Sequence, residues 1–119
     1  MEERSGGTVV LLANEPRAYR ESIAQVFAQL RPHLEVLTLE PGDLEESVLR
    51  YDPEVVVCSE ATGVVREHVP FWIELYPGYG SRSVISSKGA RSTIEEIQLS
   101  DLLSVVDSAS SPTGLEKDT

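Results

Sequence analysis

Apolar residues run along this chain in two rhythms. From Thr8 to Ala13 (TVVLLA) they are continuous and rich in β-branched side chains. Such a run is too short for a helix and fits a strand buried on both faces, the habit of parallel sheets. From Arg17 to Arg31 the rhythm changes: Tyr19, Ile23, Val26, Phe27 and Leu30 recur at spacings of three and four, one stripe of an amphipathic helix. Asn14 is placed to cap that helix, and Pro16 suits its first turn, where the missing N–H would be unpaired anyway. Pro32 stops it. Leu34 to Leu39 (LEVLTL) alternates as a second strand. Pro41-Gly42-Asp43 makes a turn, with Asp43 the N-cap of a helix from Leu44 to about Tyr51. Asp52-Pro53 ends that helix, and Glu54 to Cys58 forms a third strand.

Beyond Ser59 the pattern is less regular. Ala61 to His68 reads as a short helix and Pro70 to Tyr76 (PFWIELY) as a fourth strand. Pro77 to Ser81 is dense in turn formers. Arg82 to Ser87 (RSVISS) looks extended, Lys88-Gly89 turns the chain, and Ser92 to Ile97 (STIEEI) is the last strand. Ser100 caps a final helix striped by Leu102, Leu103, Val106 and Ala109. Strands alternating with helices predict an α/β fold, a parallel sheet covered on both faces, with right-handed crossovers. One domain, 8–109, is expected between a flexible N-terminus, 1–7, and a disordered tail, 110–119.

Composition narrows the function. A chain of 119 residues suits one domain that buries roughly two-thirds of its unfolded surface. Twenty acidic against ten basic residues give a net charge of −10, which repels a phosphate backbone and argues against nucleic acid as a partner of this chain alone. No run approaches the roughly 18 apolar residues of a membrane span, and Met1 to Gly7 lacks the apolar core of a secretory signal. A cytoplasmic protein is expected, without membrane contact. The single cysteine, Cys58, excludes an internal disulfide framework and a multi-cysteine zinc site. His33 and His68 share no ligand-like spacing and are expected in solvent-facing loops.

The arrangement resembles the receiver domain of bacterial response regulators, from Thr8 to about Ala109. Three stretches carry the resemblance. "VVLLANEP" is similar to the family's first strand, which ends in an acidic pair. "LRYDPEVVVCS" is similar to its second helix running into strand 3, before the phosphorylated aspartate. "LSDLLSVVDSA" is similar to its final helix. The resemblance implies a flavodoxin-like, doubly wound parallel sheet of strand order 2-1-3-4-5. The family's two-component chemistry moves a phosphoryl group from a histidine kinase to that aspartate, beside a Mg²⁺ held by carboxylates.

Position by position, most of that machinery is missing. The acidic pair falls on Asn14 and Glu15, leaving one carboxylate, and the phosphoacceptor falls on Ser59. A serine is a poor acceptor for reversible acyl-phosphate chemistry and brings no charge to Mg²⁺. The strand 4 hydroxyl falls on Tyr76, and the lysine-proline pair after strand 5 is replaced by Ile97-Gln98-Leu99. Glu60, one residue past the acceptor position, would at most mimic a phosphorylated state. The chain therefore reads as a pseudo-receiver with no metal and no cofactor.

The other motifs favour plain readings. Cys58 lacks the C-x5-R spacing of a cysteine phosphatase and has Glu60 for a neighbour, so a buried apolar cysteine is expected. "GYGSRS" (Gly78 to Ser83) has no following helix to face an anion. With Lys88 and Arg91, however, it makes the one locally positive region. Glu95 and Glu96, adjacent on a strand, point to opposite sides and cannot share a proton.

Pro77 to Arg91 has no helical stripe, so a loop or hairpin replaces the helix a receiver places between strands 4 and 5. Its loss is expected to bare the apolar sides of these strands. A protein partner (a regulator, a kinase or a second copy in a homodimer) would then cover them through Trp72, Tyr76, Tyr79, Arg82 and Arg91. The function expected is a non-enzymatic, phosphorylation-independent signalling or interaction domain; with no DNA-binding segment, transcriptional output would need a separate partner. The alternative is a small enzyme or ligand-binding domain with its site at the C-terminal ends of strands 1 and 3.

Overall fold

The structure, a computed structural model, describes residues 8–76 and 80–110. Within them the chain runs β1 (Val9–Ala13), α1 (Arg17–Leu30), β2 (Glu35–Thr38), α2 (Leu44–Tyr51), β3 (Val55–Cys58), α3 (Gly63–His68), β4 (Phe71–Glu74), β5 (Arg82–Ser87), β6 (Ala90–Glu95) and α4 (Leu99–Ser110). A 3-10 turn, Pro41–Asp43, leads into α2. Residues 1–7 and 111–119 of the expected termini, and Tyr79, lie outside the described residues.

The strands form one six-stranded sheet of order β2-β1-β3-β4-β5-β6. The first four are parallel, with Leu11 between Leu37 and Val56, and Val56 beside Trp72. β5 runs antiparallel to β4, and β6 antiparallel to β5. The expected order 2-1-3-4-5 is corrected here. The segment read as the last strand does not lie parallel to β4; it is the sheet edge, and Arg82–Ser87 takes the place beside β4. Connection length is the reason. Parallel neighbours need a crossover of a dozen or more residues, whereas only residues 75–81 join β4 to β5, and only Lys88 and Gly89 join β5 to β6. Those two have φ of 51° and 91°, as the tight turn of a two-residue hairpin requires.

Alternation along each strand divides the core in two. Val10, Leu12, Val55, Val57, Phe71 and Ile73 meet Ile23 and Phe27 of α1 and Leu102 and Val106 of α4. On the other face Leu11, Ala13, Val56, Cys58 and Trp72 meet Leu44 and Val48 of α2 and Val65 of α3. Helices thus cover both faces of a mostly parallel sheet, a doubly wound α/β arrangement. Arg31 joins the end of α1 to α4, its Nε and Nη2 donating to Asp107 Oδ1 and Oδ2 at 2.6 and 2.9 Å. That pairing holds the Asp107 carboxyl below its ordinary value.

Asp43 stands at the N-cap of α2 as expected, though without a side-chain bond. Two other expected caps differ. Pro16, not Asn14, is the N-cap of α1. Helix α4 starts at Leu99, so Ser100 lies inside it, and the Asp101 carboxylate accepts from Gln98 N–H at 2.8 Å instead. The flank expected to be bare is also covered. Trp72 is 3% exposed, with the Arg91 guanidinium 5.2 Å from its ring centre. No helix among the described residues is long and apolar enough to cross a membrane.

Candidate functional site

Parallel pairing aligns the ends of three strands. Ala13 lies beside Cys58, and Cys58 beside Glu74, so the chain leaves β1, β3 and β4 on one side of the sheet. The strand order reverses between β1 and β3, the place where open α/β sheets form a ligand crevice. A crevice of about 870 Å³ opens there, lined among others by Glu15, Tyr19, Ser59, Glu60, Arg66, Glu74 and Tyr76.

Backbone groups fix its walls. Ser59 Oγ accepts from Glu15 N–H at 2.9 Å, tying the exit of β3 to that of β1. Glu74 Oε2 accepts from Ala61 N–H at 2.8 Å, and Leu75 N–H donates to Cys58 C=O at 2.8 Å. Tyr76 follows with φ of 47°, a left-handed conformation that costs an ordinary side chain about 1–2 kcal/mol. Its N–H donates to Ser83 Oγ at 3.0 Å and its hydroxyl to Ile97 C=O at 3.4 Å. Across the crevice Tyr19 has its phenol pushed up, first by burial and then by Tyr76.

Asn14, one residue before Glu15, is fully buried. By alternation its side chain falls on the Leu12 face, and neither its Nδ2 nor its Oδ1 meets a hydrogen-bond partner among the described residues. An unpaired buried amide costs about 1–3 kcal/mol. Asn14→Leu, of similar size, is therefore expected to raise the unfolding free energy by about that amount. Urea unfolding measures it, and a destabilised variant would show the amide engaged.

Among the described residues, Glu15, Glu60 and Glu74 against Arg66 make the crevice acidic overall, a poor host for phosphate. The carboxylates do not converge: no group of three His, Cys, Asp or Glu among the described residues is placed to hold a metal ion. Cys58 is turned into the core, with Sγ 3.7 Å from Ile73 C=O. Burial, then Glu74, pushes its thiol up to about 12, far from the thiolate a nucleophile needs. His33 and His68 are exposed and do not line the crevice.

Glu15 and Ser59 are thus brought together at the strand ends, whereas Asn14 is buried and does not line the crevice. The residues expected at an interface are not one surface. Tyr76 lines the crevice, and Trp72 lies in the core beneath Arg91. Arg82 donates to Glu95 at 2.8 Å on the β5–β6 hairpin. Sequence reasoning missed Tyr19, Arg66 and Glu74 as crevice residues. Tyr19 falls on the helical stripe of α1, which conceals it, while Glu74, a lone acid near the end of PFWIELY, is the available signal. The fold and site define a doubly wound α/β domain with an acidic strand-end crevice. No family model, curated protein or solved structure matches the chain.

Proposed function

We propose that the chain is a signalling domain that binds protein, independently of phosphorylation, on a degenerate receiver-like sheet of the flavodoxin-like kind. The observation that carries this reading is the Ser59 hydroxyl. At the position where the resemblance expects a phosphorylated aspartate, it accepts Glu15 N–H and clasps β3 to β1. The surrounding carboxylates oppose a phosphoryl donor, and the buried Cys58 thiol, held protonated, supports a non-enzymatic role. The domain acts in the bacterial cytoplasm within a two-component-type circuit, its partner a regulator, a kinase or a second copy.

The test adds Mg²⁺ with acetyl phosphate or beryllofluoride and follows intact mass and the Glu15 and Ser59 amide resonances. Neither mass nor shifts are expected to change. A phosphorylated adduct, or shifts confined to the strand ends, would overturn the reading. A second reading, a small-ligand-binding domain, is favoured by the crevice itself, whose size lies within the range of small-molecule sites. A screen of small organic amines that shifted Glu15, Ser59 and Tyr76 together would favour it.

A further inference from the structure

β6 is the outermost strand of the sheet. It pairs one-to-one with β5 from Ala90 to Glu95, without bulge or proline, and all but Ile94 are exposed. Proteins usually blunt such edges with short strands, prolines, bulges or lysines; the opposite edge, β2, is only four residues long.

The direction of the backbone groups on β6 follows from the turn. In a two-residue hairpin Ser87 and Ala90 are the hydrogen-bonded pair next to the turn, and bonded pairs recur at every second residue. Ala90, Ser92 and Ile94 therefore bond to β5, and Glu96 N–H continues the series to Ser81 C=O at 3.1 Å. The N–H and C=O groups of Arg91, Thr93 and Glu95 face outward.

We propose that β6 pairs antiparallel with β6 of a second copy about a two-fold axis through Thr93, joining two sheets into one. It gives the second-copy version of the proposed function a surface. The side-chain pattern is self-complementary. Arg91, Thr93 and Glu95 share one face of β6. With Thr93 opposite Thr93, Arg91 lies opposite Glu95 of the second copy and Glu95 opposite its Arg91. These are also the residues with outward backbone groups, so each pair exchanges both its N–H···O bonds. Sliding the strands by one pair either way sets charge against Thr93; sliding further sets Glu95 against Glu95 or Arg91 against Arg91. Charge thus selects one register, as cross-strand pairs do. Glu95 already meets Arg82 and accepts from Ser81 Oγ at 3.2 Å, but these contacts are exposed and worth little, so Glu95 can exchange them for the pairing with Arg91 of the second copy. The net charge of −10 on each copy opposes unspecific association, leaving this local match to supply the attraction.

The test is sedimentation velocity of the full chain across a wide concentration range, with hydrogen exchange alongside. A monomer–dimer equilibrium is expected, with the Arg91, Thr93 and Glu95 amides gaining protection as concentration rises. Thr93→Pro removes an outward N–H and no bond within the chain; it should weaken dimerisation at least about tenfold with the circular dichroism unchanged. Arg91→Glu and Glu95→Arg should each weaken self-association about tenfold by setting like charges opposite. Mixed together, the two should form a heterodimer. A strict monomer, a dimer indifferent to Thr93→Pro, or folded charge variants that ignore each other would overturn the pairing. A strict monomer would leave binding of another protein, as proposed above, intact.

Discussion

Between pH 9 and 12 the wild-type chain is expected to lose stability that a Cys58→Ala variant keeps. The thiol is raised from 9.0 to about 12 in the folded state, by burial and then by Glu74. Its proton is therefore held more tightly by the folded chain than by the unfolded one. Below pH 9 both states keep the proton, and the contribution is fully present. Above it the unfolded chain ionises first and stability falls, until the folded thiol ionises as well near pH 12. The loss across that window is on the order of 4 kcal/mol. Every other ionisable group is the same in both proteins, so the difference between their urea-unfolding curves, measured at pH steps from 8 to 11, isolates Cys58. The variant starts lower at neutral pH because of the small cavity it leaves, but its curve should be the flatter. Parallel curves would show that the thiol is solvated in the folded state.

Phe27→Ala is expected to cost about 3–5 kcal/mol, a large share of the roughly 5–15 kcal/mol that holds a domain folded. Phe27 is fully buried where α1 meets the sheet, and no neighbour on a regular strand moves easily into its place. Leu30, on the same helical stripe, is 50% exposed. Leu30→Ala should cost less than about 1 kcal/mol, and thermal or urea unfolding of the two variants makes the comparison. Equal losses would mean that α1 sits on the sheet in another rotation.

The stripe containing both residues was legible in the sequence; their different burial was not, because a helix's stripe is wider than the line along which it touches a sheet. The same division runs through the fold. Continuous runs such as Val55–Cys58 and the stops at Pro32 and Pro53 marked the elements closely. Pairing was harder to read, because Arg82–Ser87 and Ser92–Ile97 look extended whatever strand lies beside them. The usable signal was the length of the turn: two residues at Lys88-Gly89 permit only antiparallel neighbours. At the site, Asn14, Glu15 and Ser59 follow from the resemblance to a receiver. Strand ends in a parallel sheet converge, and Glu15 and Ser59 meet there, while Asn14 turns out to be buried. Asn14 was misread as a cap because local sequence does not reveal whether a polar side chain turns to a helix end or beneath it. Tyr19, Arg66 and Glu74 come from three different elements, and only the fold brings them to one crevice.

Trp72 is the only tryptophan in the chain, and it is buried beneath a guanidinium that belongs to the sheet's edge strand. The molecule therefore carries one optical reporter at the place where its edge is decided. Arg91 is shared between the indole ring and the outward face of β6, so a movement of that side chain toward any anionic neighbour changes the field at the indole and the emission it gives. Unlabelled protein under native conditions is enough to watch the edge strand by light.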